Sequence, residues 1–218
     1  MKTKELFDLQ YTKAAPILEG KEYPWEALKD IKSFIIELGK TLDKEKYDEV
    51  KENVWIAKTA TVFDSAYIAG PCIIDEDTEV RHCAFIRGSV IVGKNCVVGN
   101  STEVKNSIIF DNVQIPHYNY VGDSVLGYKS HLGAGAVTSN VKSDKTLVTV
   151  KTKDGRVETG LKKFGAMVGD HTEVGCHSVL CPGTVLGKNC TVYPTSMVRG
   201  CVEANSIFKS QENIVTKR

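Results

Sequence analysis

At 218 residues the chain suits one compact body or one repeat array with an appendage. Its 28 basic and 27 acidic side chains leave a net charge of +1, which excludes the strong basic excess of a nucleic-acid binder. No apolar stretch approaches the roughly 20 residues that span a bilayer, and the charged start Met1–Gln10 lacks a secretory signal. The 7 cysteines, an odd number without a C-x-x-C pair, then read as reduced thiols in a cytoplasm.

In chain order, residues 1–53 come first and carry no six-residue pattern. Pro24 to Gly39 predicts a helix, with proline at its start, glycine near its end and Trp25, Leu28, Ile31, Phe34, Ile35 and Leu38 on one face. Such a helical cap serves either to cover the open end of a repeat array or as a partner surface.

From Ile56 a step of six reaches Val62, Ile68, Ile74, Val80, Ile86, Val92, Val98 and Val104, every one Val or Ile. A second array runs Val168, Val174, Leu180, Leu186, Val192 and Val198. Six fits neither the 3.6-residue helix nor a heptad. It predicts short β segments joined by tight corners, with β-branched residues inside. Burying each such side chain contributes about 1.5–3 kcal/mol, and only stacked coils can bury it. The β-helix therefore covers 54–206, with a polar tail over 207–218.

Inside this array the inward residues run Val104, Phe110, Ile115, Val121, Leu126 and Leu132, so two hexads are one residue short. Over 141–165 the hexads stop. There Leu147–Thr152, a turn at Lys153-Asp154-Gly155, and Arg156–Thr159 predict a β-hairpin extruded from a corner. It serves to cover a neighbouring site or to touch another subunit.

Two groups of side chains have chemical potential. Arg87 and Lys105 each follow an inward aliphatic and lie 18 residues apart, which stacks them on one corner about 4.8 Å apart. Their repulsion, about 1 kcal/mol in water, reverses if a phosphate sits between them; the bland reading is two solvated cations near Glu103. His117 follows Pro116 at a corner of the irregular coil. It is a general base for an amine or a structural histidine.

Residues 54–206 resemble the acetyltransferase domain of the bifunctional enzyme that makes UDP-N-acetylglucosamine, a hexapeptide-repeat family. The likeness lies in Ala84-Phe85-Ile86-Arg87-Gly88, in Val98-Gly99-Asn100-Ser101-Thr102-Glu103-Val104-Lys105-Asn106, in His117-Tyr118-Asn119-Tyr120-Val121-Gly122-Asp123 and in Leu132–Asn140. It implies a mainly β fold, a left-handed parallel β-helix with three hexads per turn, assembled as a homotrimer with its sites between prisms. It further implies acetyl transfer from acetyl-CoA to a phosphorylated amino sugar such as glucosamine-1-phosphate. Arg87 and Lys105 would hold the phosphate, Tyr120 and Asn140 the sugar, and His117 would be the general base. Cys176 and Pro194 would touch the pantetheine arm. No metal is implied.

The chain departs from the family at His131, where the family has asparagine, and at Val141, where it has an aromatic residue. The longer segment after Asn140 leaves Lys142 and Lys145 as candidates for a further phosphate-binding lysine. No Gly-rich nucleotide loop is present, so the chain would transfer acetyl groups alone or work with a separate sugar nucleotidyltransferase. Two rivals remain: a non-catalytic trimeric scaffold, and a zinc hydratase of the same architecture. The latter needs three convergent histidines, a spacing that His82, His117, His131, His171 and His177 do not provide.

Overall fold

A computed structural model describes residues 1–153 and 155–217. From Val54 the chain winds into a prism with three walls of parallel strands. The first wall stacks Val54–Ala57, Cys72–Ile74, Val90–Val92, the second half of Glu103–Ile109, the second half of Tyr120–Leu126, Ala166–Val168, Thr184–Leu186 and Cys201–Val202. The second carries Thr61–Val62, Glu79–Val80, Val97–Asn100, Gln114–His117, His131–Leu132, Glu173–Val174, Thr191–Val192 and Ser206–Ser210. The third holds Tyr67–Ile68, Phe85–Ile86, the first halves of the strands from Glu103 and Tyr120, Val137–Thr138, Val179–Leu180 and Met197–Val198. The mainly β, parallel β-helical architecture expected from the hexads is the one observed.

The inward columns are aliphatic and almost fully buried, as with Ile86, Val104 and Val121 on the third wall. Small polar residues fill the corners and tie coils together. The hydroxyl of Thr78 donates to the Gly93 carbonyl and accepts from the Cys96 N–H, and Thr102 does the same for Ile115 and Asn119. Those bonds satisfy groups that would otherwise be orphaned in a dry interior.

Register corrects one reading of the irregular coil. Ile109, paired with Val92 and Leu126, holds the inward position. Phe110 instead contacts Phe7 of the N-terminal segment at 5.2 Å between ring centres. The short hexads are thus 104–109 and 121–126, both where the chain passes from the third wall to the first.

The N-terminal segment lies along the first wall and not over the prism's end. Helix Ile31–Thr41 packs on Cys72–Ile74, Val90–Val92 and Glu103–Ile109, and the turn Pro24–Lys29 packs on Tyr120–Leu126. This burial explains why the outward Ile73 and Ile91 are as apolar as their inward neighbours. The expected single helix is broken at Asp30 into a 3-10 turn and an α-helix, and the 3-10 part turns Trp25 and Leu28 to the same side. Tyr47–Lys51 does sit at the end of the stack, as an antiparallel edge strand on Val54–Ala57. At the other end Ser206–Ser210 still stacks on Thr191–Val192, Phe208 is buried, and Asn213–Thr216 returns antiparallel.

The hairpin Thr149–Thr152 with Gly155–Glu158 packs on the upper first wall of its own chain, against Thr184–Leu186 and Cys201–Val202. Asp154 of the expected Asp-Gly turn lies outside the described residues, as does Arg218. No helix of the described residues is long and apolar enough to cross a membrane.

Candidate active site

The third wall is bounded by two corners, and the residues singled out in the sequence divide between them. At the corner with the first wall, Glu103–Ile109 and Tyr120–Leu126 run through the bend as continuous strands. Asn106 and Asp123 make the bend with φ of 43° and 50°, a left-handed backbone that Asn and Asp tolerate better than most residues. Ile86 pairs with Val104 and Lys105 with Gly122, so Arg87 and Lys105 are stacked on successive coils.

Each of those cations has a carboxylate. Arg87 Nη1 donates to Glu103 Oε1 at 2.7 Å, and Lys105 Nζ donates to Asp123 Oδ2 at 3.1 Å. Asp123 is buried, and it accepts from Asn106 Nδ2 at 2.9 Å and from Asn140 Nδ2 as well. Asn140 Nδ2 also donates to Tyr120 Oη at 3.2 Å. A buried carboxylate needs such company, because an unpaired charge in the interior is heavily penalised. Two cations and two carboxylates leave this corner neutral. Burial, then the Asp123 and Glu103 charges, push the Tyr120 phenol above the ordinary tyrosine range. It stays protonated, with its O–H available as a donor.

At the corner with the second wall, His117 ends the strand Gln114–His117 and pairs with Asn100. Tyr118 turns the chain with φ of 51°. Buried Asn119 then locks the corner. Its Oδ1 accepts from the His117 N–H at 3.1 Å, and its Nδ2 donates to the carbonyls of Gly133 and Ala136 at 2.8 and 3.0 Å. The His117 imidazole is exposed and meets no hydrogen-bond partner among the described residues. Above it one ladder joins the coils. Gly135 N–H donates to the His117 carbonyl at 3.0 Å, His177 N–H to Ala134 at 2.8 Å and Thr195 N–H to Cys176 at 2.8 Å. Cys176 and Pro194 stand on this same corner, about 10 and 14 Å above His117 at roughly 4.8 Å per coil.

His131 lies elsewhere. It projects from the second wall with Nδ1 2.8 Å from Glu173 Oε2 and does not join the Tyr120–Asn140 group within one chain. Asp123, Asn106 and Asn119 are the site residues that sequence reasoning missed. The missing residue in hexad 121–126 was the available signal, since it forces a left-handed Asp into the corner behind Lys105. Among the described residues, no three His, Cys, Asp or Glu side chains converge as a metal site.

The arrangement sets a free imidazole and a cation corner on opposite edges of one wall, with Tyr120 between them. The model of the family described as GMPPB C-terminal domain matches residues 68–213. The chain belongs to that family. It is also similar to the Bifunctional protein GlmU of Methanococcus maripaludis strain C5, 36% identical over 62% of this chain and 33% of that one. A Bifunctional sugar-1-phosphate nucleotidylyltransferase/acetyltransferase of Sulfurisphaera tokodaii is 31% identical over 72% of this chain and 43% of its own. The chain spans less than half the length of these curated relatives. Among solved structures, the UDP-N-acetylglucosamine O-acyltransferase (LpxA) of Moraxella catarrhalis RH4 is 12% identical with a TM-score of 0.41, over 75% of this chain and 72% of that one.

Proposed function

We propose that the chain is an acyltransferase that moves an acetyl group from acetyl-coenzyme A to the amine of a phosphorylated amino sugar, glucosamine-1-phosphate being the first acceptor to test. One observation carries this reading: an unpartnered imidazole and a stacked Arg–Lys pair flank the same wall, in a family whose matched relatives include one named as an acetyltransferase. Arg87 and Lys105 hold the phosphate through the N–H groups their carboxylates leave free, while Tyr120 and Asn140 contact the sugar. The His117 imidazole takes a proton from the amine as its nitrogen attacks the thioester carbonyl carbon. The C–S bond then breaks, and the departing thiolate takes the proton back from the imidazolium. A general base of this kind contributes roughly 10²–10⁴-fold. Cys176 and Pro194, above His117 on its corner, line the pantetheine arm.

Tyr67 and Phe85 at one end of the third wall and Met197 at the other are exposed, apolar contacts suited to a second prism in a homotrimer. A neighbour's second wall packed there would bring its His131 towards the sugar. The rival reading is a non-catalytic scaffold or a partner of a separate nucleotidyltransferase, and it draws support from the neutral cation corner. One assay separates the two. The protein with acetyl-CoA and a panel of amino-sugar phosphates should release free thiol and show a raised Tm with one acceptor. Neither signal with any acceptor would leave the scaffold.

A further inference from the structure

A second basic feature lies higher on the corner that carries Arg87 and Lys105. A cavity of about 480 Å³ opens there between the corner and the hairpin, and Lys142, Lys151, Arg156 and Arg199 line it with Asp144. Lys142 Nζ pairs with Asp144 at 3.3 Å. Lys151, Arg156 and Arg199 form no ion pair among the described residues. The pocket holds four cations against one carboxylate, whereas the lower corner holds two against two. Like charges gathered in a concave site repel one another and focus a positive potential into it.

The pocket is built rather than incidental. Val148 and Val150 of the hairpin segment are buried, which docks it on the prism. Gly183 and Gly200 hold φ of +81° and +78°, and a Cβ on them would lie 2.9 Å from the Thr149 carbonyl oxygen and 3.0 Å from that of Lys151. Side chains there would strain the backbone and push the hairpin away. Glycine directly after Arg199 thus lets the hairpin close against it and brings Lys151 and Arg156 to the same cavity. Ser143 and Thr149 add hydroxyls to the lining.

We infer that this pocket is a binding site for the phosphate groups of an organic phosphate ligand, a diphosphate or a phosphomonoester, recognised by the Arg156 and Arg199 guanidinium forks with Lys151. Guanidinium groups match phosphate oxygens in bidentate geometry. One coil per step, the corner runs Lys105, Gly122, Ser139, Cys181, Arg199, which puts Arg199 about 19 Å above Lys105. A sugar monophosphate held at Lys105 does not reach it. The phosphate belongs to a longer ligand: the phosphorylated adenosine end of coenzyme A, or a nucleotide carried by the acceptor. Charge and cavity alone define this site, whether or not the chain transfers an acetyl group.

Titration calorimetry on the full chain with inorganic pyrophosphate tests it. Arg156→Gln and Arg199→Gln should each weaken binding about tenfold or more, Arg199→Lys should weaken it less because the charge stays while the bidentate fork is lost, and Lys40→Gln on the distant helix should change nothing. Circular dichroism checks that each variant folds. Coenzyme A, its 3′-dephosphorylated form and a nucleoside-diphosphate amino sugar then identify the source. Loss confined to coenzyme A assigns the donor, and loss confined to the nucleotide sugar assigns the acceptor. Folded pocket variants that bind pyrophosphate like the parent protein, or a parent protein that does not bind it, would overturn the inference.

Discussion

Lys105 and Arg199 occupy the same corner at two heights, yet their surroundings differ. Around Lys105 every cation has a carboxylate within about 3 Å, and the carboxylate of Asp123 is itself held by two asparagines. Around Arg199 the cations face open cavity. A cation in a repeat column is therefore not yet an anion site. Pairing turns Arg87 and Lys105 into fixed donors with little pull at a distance, suited to orienting a ligand already on the wall. The unpaired set attracts from solution and loses strength with salt.

Substitutions separate the two settings. Reversing a charge in the upper set has the largest effect: Arg199→Glu should cost about a hundredfold in pyrophosphate affinity, roughly 2.7 kcal/mol, in calorimetry. Removing the carboxylate from the lower set comes next. Asp123→Ala strands Lys105, Asn106 and Asn140 and should lower the unfolding free energy by about 1–3 kcal/mol in urea, with Asp123→Asn losing less. Unchanged stability would mean the carboxylate is incidental. Glu103→Gln frees Arg87, and it should raise pyrophosphate affinity at the lower corner by about two- to fivefold, since an exposed pair contributes under about 1 kcal/mol.

The gentlest test is pH. Burial raises the Tyr120 phenol and pushes the Cys96 thiol up to about 12. Both groups then bind protons more tightly folded than unfolded, so their stabilisation is complete below the unfolded values and fades as pH rises through the folded ones. Urea midpoints should hold level to about pH 9 and fall from there towards 12, and Tyr120→Phe should soften the fall.

The walls were legible because a buried Val or Ile column tolerates few other residues, and Arg87 and Lys105 fell in one column by counting. Contacts made through register were not legible. Phe110 occupies a plausible inward position by count, yet a left-handed Asn106 shortens the corner and hands that place to Ile109. Asp123 reads as one more polar corner residue until register sets it beside Lys105. The N-terminal helix shows an apolar face without saying what it covers, and the apolar outward residues Ile73 and Ile91 were the clue that a wall, not an end, was its partner.

Steady-state acetyl transfer by His117→Ala and Lys105→Met, measured side by side, tests the central claim that the two edges of the third wall do different work. His117→Ala should lower kcat by about 10² or more. Lys105→Met should chiefly raise KM for the sugar phosphate and leave KM for acetyl-CoA unchanged. Parent-like rates in both folded variants would contradict it.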